Sequence, residues 1–417
     1  MAQPWITRKW SDFEGDGNFK KCLFVSDSFI TRLAIGGYRS IRSLTLSLDR
    51  LNVITGANGS GKSNLYRALK LMADLADGRL LHSLALEGGF TSVLWAGPEI
   101  ISAEMRAGVV PVQGSSKRKN AISLRLGICA EPFSYTVDIG LPQTSGPSMF
   151  ACDPEIKREC LWNGVVMDSK RLCADRRRGS LRSRKNDGTW QDIDLALSTR
   201  GSMLTEYSDP FNGPELILMR EQLRSWRFYD SFRVDAHAPA RQPAPATLTT
   251  VMSGDGSDFA AALQTIREIG DWEGVCVAID HAFPGTHVAV TEVAGGLLAQ
   301  LEQPGMLRKL RASEWSDGTL RYLLLVTALM TPRPPALMVL NEPEASLHPD
   351  LIPPLAKLIQ TASQTSQVIV VTHSQPLVDE LAAIDACNSI YLQKSLGETT
   401  LEGDNLLDRY GFQWPKR

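Results

Sequence analysis

An apolar run, Leu51-Asn52-Val53-Ile54, enters the turn Thr55-Gly56-Ala57-Asn58-Gly59-Ser60-Gly61-Lys62-Ser63-Asn64 and passes straight into a stretch with Leu65, Leu69, Met72 and Leu75 at helical spacing. A strand, a glycine-rich turn and a helix in that order constrain the fold more than any other part of the chain. Glycines let successive backbone N–H groups point inward, Lys62 is spaced to reach β- and γ-phosphates, and the Ser63 hydroxyl suits Mg²⁺. The turn therefore predicts a phosphate cradle. A plain Gly/Ser-rich loop would need neither the strand before it nor the helix after it, which Gly78 is placed to stop.

There is room for more than one lobe around this turn. The 417 residues are 43% hydrophobic, and a prior of about 150 residues per domain suggests two or three units. With 44 basic and 46 acidic residues, the net charge of −2 exerts no global pull on nucleic acid, so any basic contact surface would be local. Seven cysteines without a CxxC pair read as reduced thiols of a cytoplasmic protein, forming neither a disulfide framework nor a zinc site. The amino terminus lacks an apolar signal core, and no segment approaches the ~18 apolar residues of a membrane span. Neither export nor a membrane partner is expected.

Residues 1–28 are polar and read as an extension. Strands are expected at 29–35, 44–48 and 51–55, divided by Gly36-Gly37 and Asp49-Arg50, and the segment 29–98 forms the first half of the phosphate-binding core. From 99 to 304 the pattern changes: 101–105, 121–129, 133–139 and 288–293 alternate as antiparallel strands, which predicts an inserted lobe. This lobe carries Lys170, Arg171, Arg176, Arg177, Arg178, Arg182, Arg184 and Lys185. The stretch is readable either as a phosphate-contacting loop for nucleic acid or as a solvated loop without a partner. Trp162 and Trp190 stand only at its margins. Pro239, Pro243 and Pro245 mark a connector ahead of a helix containing Phe259, Leu263 and Ile266.

Residues 305–395 bring further polar groups to strand ends. Trp315-Ser316-Asp317-Gly318-Thr319 opens an apolar helix and is either a second anion site or an ordinary N-cap. Ala336-Leu337-Met338-Val339-Leu340 reads as a buried parallel strand that delivers Asn341, Glu342 and Glu344 to its carboxyl end. Val368-Ile369-Val370-Val371 ends likewise in Thr372-His373-Ser374. One helix separates the two strands, which places Glu342 and His373 near each other at one sheet edge. Glu342 can orient or deprotonate a water and His373 can hydrogen-bond a γ-phosphate; the other reading of His373 is a satisfied histidine at a strand end.

Taken together, these motifs resemble the ABC-type ATPase head of the SMC/RecF group, and among its relatives the AAA-type ATPases related to the ATPase half of overcoming-lysogenization-defect nucleases. The match lies in GANGSGKS (Gly56 to Ser63), WSDGT (Trp315 to Thr319), LMVLNEPE (Leu337 to Glu344), SLHPD (Ser346 to Asp350) and VVTHS (Val370 to Ser374). The resemblance implies an α/β P-loop NTPase with a mixed sheet flanked by helices and an inserted antiparallel β/helical lobe. It also implies ATP and Mg²⁺ as cofactors, with nucleotide on Gly56, Ala57, Asn58, Gly59, Ser60, Gly61, Lys62, Ser63 and Asn64, and metal on Ser63 and Asn341. Lys62, Glu342 and His373 would be catalytic. Two subunits would pair head to tail on ATP, so that Ser316 and Gly318 act in trans.

The chain departs from that pattern at three points. Asn341 is neutral where the family carries an aspartate, and a hard cation prefers charge. No glutamine between Asn64 and Val112 offers a Q-loop, which leaves Gln113 as the candidate. The residues after His373, including a tail at 396–417, are too few for a nuclease domain. The leading expectation is a Mg²⁺-dependent ATPase that couples nucleotide state to conformational change. The alternatives are an ATP-binding dimerisation switch with little hydrolysis, or a DNA-associated repair or phage-defence factor acting with a separately encoded effector.

Overall fold

Residues 337–340 and 367–371 are buried at every position, as befits strands covered on both faces. In the computed structural model, which describes residues 29–99, 101–110, 123–143, 148–185, 187–230, 232–384, 386–403 and 412–417, both lie inside a six-stranded sheet. Numbered in chain order, its strands are β1 (Leu51–Gly56), β2 (Arg227–Tyr229), β3 (Leu337–Asn341), β4 (Gln367–Val371), β5 (Cys387–Ser395) and β6 (Glu398–Leu401). The spatial order is β2-β3-β4-β1-β5-β6, parallel through β5, with β6 returning as an antiparallel hairpin. The carboxyl ends of β1, β3 and β4 therefore open on one edge, where sheets of this kind take their ligands.

Alternate residues of these strands feed two cores. Ile54, Leu337, Val339, Ile369 and Val371 face helix Lys62–Ala76. Val53, Met338, Leu340, Val368 and Val370 face helices Phe259–Ile269, Asp317–Leu329 and Ile352–Ser363. A one-residue slip would exchange the two sets, and burial of each aliphatic side chain is worth roughly 1.5–3 kcal/mol, so register is firmly specified. The strand-end residues are held correspondingly well.

An eight-stranded antiparallel sheet forms the other large layer. Ile30–Tyr38 and Ile41–Ser47, which precede the glycine-rich turn, pair with each other and then with Leu124–Ala130. The sheet continues through Phe133–Gly140, Glu155–Asn163, Leu172–Arg177 and Ser180–Arg184 to Trp190–Ile193. The segment 99–304 thus divides among three sheets, because β2 joins the core and His287–Val293 and Gly296–Glu302 build a small sheet with Leu310–Arg311.

One local expectation is corrected. Residues 101–105 are not a strand; Ala103–Arg106 is a helical turn whose Ser102 Oγ accepts from the Met105 N–H at 3.2 Å. The described parts of the tail at 396–417 pack onto both sheets. Glu398–Leu401 is β6, Phe412 packs against Trp162 at 6.0 Å between ring centroids, and Arg417 Nη2 meets Asp138 Oδ1 at 2.8 Å. The extension 1–28 and Gln113 lie outside the described residues. Among the described residues the cysteines are free and no helix is long and apolar enough to cross a membrane.

Candidate functional site

The turn after β1 is braced from the far end of the chain. Gly61 has φ +111°, and a Cβ there would sit 2.1 Å from Thr399 Oγ1, so this position excludes any side chain. That hydroxyl on β6 donates to the Ser60 carbonyl at 2.8 Å and lies 2.7 Å from Ser40 Oγ. Asn64 Nδ2 donates to Ser40 Oγ at 2.8 Å, so its side chain serves this brace. Ala57, Asn58 and Gly59 form the exposed rim, Ser63 is exposed on the first helical turn, and Ser60 Oγ is buried without a protein partner. Lys62 folds inward: Nζ donates to the Gly56 carbonyl at 2.5 Å and to the Ala57 carbonyl at 3.2 Å. Burial lowers its pKa, against the opposing pull of the Glu342 carboxylate.

The carboxyl ends of β3 and β4 bring the predicted pair together. Leu340 and Asn341 are in register with Val370 and Val371, and the Glu342 N–H donates to the Val371 carbonyl at 2.7 Å. Glu342 takes φ +47°, a conformation that costs a non-glycine residue energy and that clusters at functional sites. His373 Nδ1 stands 3.3 Å from Glu342 Oε1 and 3.8 Å from Glu344 Oε1, with His373 and Glu342 about half exposed. Glu344 is buried; Thr372 Oγ1 donates to its Oε1, while its Oε2 has no protein partner. Beneath them Arg321 Nη2 donates to the Glu342 carbonyl at 2.8 Å, fixing the strained turn. Burial lowers the Arg321 pKa, countered by Glu344, Asp230 and Glu342 in that order.

Asn341 spends its amide N–H on Asp230, with Nδ2 to Oδ1 at 2.7 Å. Among the described residues no group of three His, Cys, Asp or Glu could hold a metal alone. The donor set is instead one that fits a cation already carried by phosphates: the Ser63 hydroxyl, the Asn341 amide oxygen and nearby carboxylates. The buried, unpartnered Ser60 Oγ and Glu344 Oε2 at the same edge agree with a polar ligand there.

Ser316 and Gly318 do not join this cluster within one chain. Ser316 Oγ caps helix Asp317–Leu329 by accepting from the Thr319 N–H at 3.1 Å and is exposed. Gly318 approaches the Ser346 carbonyl so closely that a Cβ would sit 2.9 Å from it, which gives its lack of a side chain a reason inside the chain. Arg241 anchors the segment from the proline-rich connector, with Nη1 on the carbonyls of Ala312 and Trp315 at 2.7 and 2.9 Å and Nη2 on Asp317 at 2.8 Å.

The basic stretch is neither an open loop nor uniformly available. It runs through two strands and their hairpin, and Arg176 is fully buried, with Nη1 2.6 Å from Glu159 Oε2. Arg182 and Arg184 lie over the Trp190 ring at 5.1 and 5.4 Å. A nucleic-acid role for Arg176 is therefore excluded.

Sequence reasoning missed Asp230, Arg321 and Thr399 as parts of this site. Asp230 follows a strand of only three residues, Arg321 sits inside an apolar helix, and Thr399 lies beyond the last motif. The one sequence signal for Asp230 was an apolar run, Phe228-Tyr229, ending in an acid as a core strand does.

A family model described as "AAA domain, putative AbiEii toxin, Type IV TA system" matches residues 51–380. Similar solved structures include an Smc head bound to the C-winged helix domain of ScpA, at 16% identity over 91% of this chain and 98% of that one, with TM-score 0.47. A second is an Smc head with an extended coiled coil bound to the C-terminal domain of ScpA, derived from Pyrococcus furiosus, at 14% identity over 90% and 96%, TM-score 0.47. A third is the SMC head domain from Thermotoga maritima, at 16% identity over 90% and 99%, TM-score 0.40. No curated protein matches the chain. At these scores the likeness adds no argument about the site.

Proposed function

The chain belongs to the AAA-domain family of P-loop ATPases, and from that premise we propose that it binds ATP on the turn after β1 and hydrolyses it with Glu342 and His373. The observation that carries this reading is the meeting of His373 Nδ1 and Glu342 Oε1 at 3.3 Å, at the ends of β4, which neighbours the strand that delivers Lys62, and of β3 beyond it. On binding, Lys62 would exchange the Gly56 and Ala57 carbonyls for phosphate oxygens, a trade of neutral for charge-assisted hydrogen bonds. Glu342, half exposed at the sheet edge, would accept a proton from or orient the attacking water, and His373 would sense the γ-phosphate.

Mg²⁺, when bound on the phosphates, supplies charge neutralisation for the transferring group. Ser63 and Asn341 would hold it. Ser316 is exposed with its helix N-terminus outward, which suits completion of a second subunit's site in a homodimer. The reading is tested by Glu342→Gln, which should lower ATP turnover by about 10²–10⁴-fold while leaving ATP affinity intact. Undiminished hydrolysis would overturn the assignment of Glu342.

A further inference from the structure

β2 is short but well registered: Tyr229 lies opposite Leu340, which brings Asp230 level with Asn341. The 2.7 Å bond between them has a direction. An amide donates through nitrogen and accepts through oxygen, so with Nδ2 on Asp230, Asn341 presents Oδ1 to whatever lies above the sheet edge. Asp230 accepts this bond at one oxygen and is otherwise exposed, and among the described residues no Lys, Arg or His lies within ion-pair distance of it.

The first turns of the helix after the glycine-rich loop reach the same corner. Tyr66 follows Ser63 by three residues, on the same helix face, and packs edge-on against Phe228 of β2 with ring centroids 5.7 Å apart. Its hydroxyl is buried without a protein partner. Burial raises the Tyr66 pKa first, with the charge of Asp230 next, so the phenol lies in the field of that carboxylate. Tyr66, Asp230 and Asn341 therefore converge at this corner, with Ser63 one helical turn before Tyr66.

We propose that Asp230 supplies the anionic oxygen for the divalent cation at this site, with Asn341 as its positioning residue. The proposal rests on the nucleotide reading above. The charge that Asn341 lacks is not lost but carried one strand over, where a hard cation can still find it. The pairing also has a reason: two carboxylates at hydrogen-bond distance would repel, whereas an amide beside a carboxylate keeps one full charge and fixes its orientation. Asn341 and Asp230 are thus a complementary pair in which either position can hold the acid, but not both.

The test uses the full chain and reads metal linkage rather than turnover alone. Binding of a fluorescent ATP analogue is titrated in EDTA and in Mg²⁺, and Mn²⁺ occupancy of the nucleotide complex is followed by electron paramagnetic resonance. Asp230→Asn, which preserves shape and a hydrogen bond to Asn341, should leave affinity in EDTA unchanged and weaken Mn²⁺ binding by about 10–100-fold. Asn341→Asp alone should bring no tighter metal binding, and the exchanged pair Asp230→Asn with Asn341→Asp should restore it. Because the exchanged pair keeps both shape and net charge, it reports even where a single variant folds poorly. Unchanged Mn²⁺ affinity in Asp230→Asn, or an exchanged pair no better than Asp230→Asn, would overturn the proposal. A wild-type chain that binds nucleotide in neither condition would instead overturn the nucleotide reading itself, and this proposal with it.

Discussion

The buried charge at Arg176 is completed within the antiparallel sheet, whereas polar atoms at the open edge of the core sheet are left without a partner. In the antiparallel sheet Arg176 has no exposed surface and every arm is used: Nε on the Arg178 carbonyl at 2.6 Å, Nη1 on Glu159 and the Gly201 carbonyl at 2.6 and 2.5 Å, Nη2 on the Ser198 carbonyl at 2.5 Å. Glu159 is saturated in turn by the Ser202 hydroxyl at 2.5 Å, the Met203 N–H at 2.8 Å and the Tyr135 hydroxyl. At the open edge of the core sheet, by contrast, Ser60 Oγ, Tyr66 Oη and Glu344 Oε2 are buried without a protein partner. The first arrangement holds a fold together and has nothing left to offer a ligand. The second has polar atoms free to meet an external group, as the proposed nucleotide site requires.

This contrast can be broken by substitution. Removing Arg176 leaves Glu159 uncompensated in the interior, so Arg176→Met should lower unfolding free energy by about 3–5 kcal/mol, measured by chemical denaturation. Arg177 is its control: it is exposed, and the buried Asp175 that it meets at 3.4 Å keeps Arg158 and Arg182 as partners, so Arg177→Gln should change stability by less than about 1 kcal/mol. If the two variants unfolded alike, the interior network would not be the scaffold described. A smaller effect is expected on the other side of the comparison. Thr399→Val removes the bonds to the Ser60 carbonyl and to Ser40 Oγ from the brace, worth about 1 kcal/mol each, and should weaken nucleotide affinity by more than it lowers the melting temperature. A loss of stability without loss of affinity would place Thr399 with the scaffold instead.

The parts of the site that were legible in the sequence share a physical property. The turn from Gly56 to Ser63, Glu342 and His373 each follow a mainly apolar strand, and such strands announce both their burial and the edge at which their last residue emerges. Asp230 lacked that signal. A strand of three residues has no period to detect, and β2 pairs with β3 across more than a hundred residues of chain. Arg176 misled for the opposite reason: within a run of arginines nothing distinguishes the one whose three nitrogens all bond to a distant glutamate and three carbonyls. Thr399 was invisible because its importance comes from contact with Gly61 and Ser60, not from its neighbours in sequence. The antiparallel strands were read where they alternate, at 133–139 and 288–293, but their grouping was not. Pairing of Ile30–Tyr38 with Leu124–Ala130 depends on register between distant segments, which hydrophobic pattern does not encode.

The central claim is that the open edge of the core sheet is a nucleotide site and that Lys62 is its phosphate clamp. Equilibrium binding of ATP to the full chain and to Lys62→Ala, with melting followed alongside, tests it most directly. Wild type should bind saturably and Lys62→Ala should lose about tenfold or more in affinity, since charge-assisted hydrogen bonds are worth about 1.5–3 kcal/mol, with melting unchanged. Equal affinity in the two proteins, or no binding by the wild type, would contradict it.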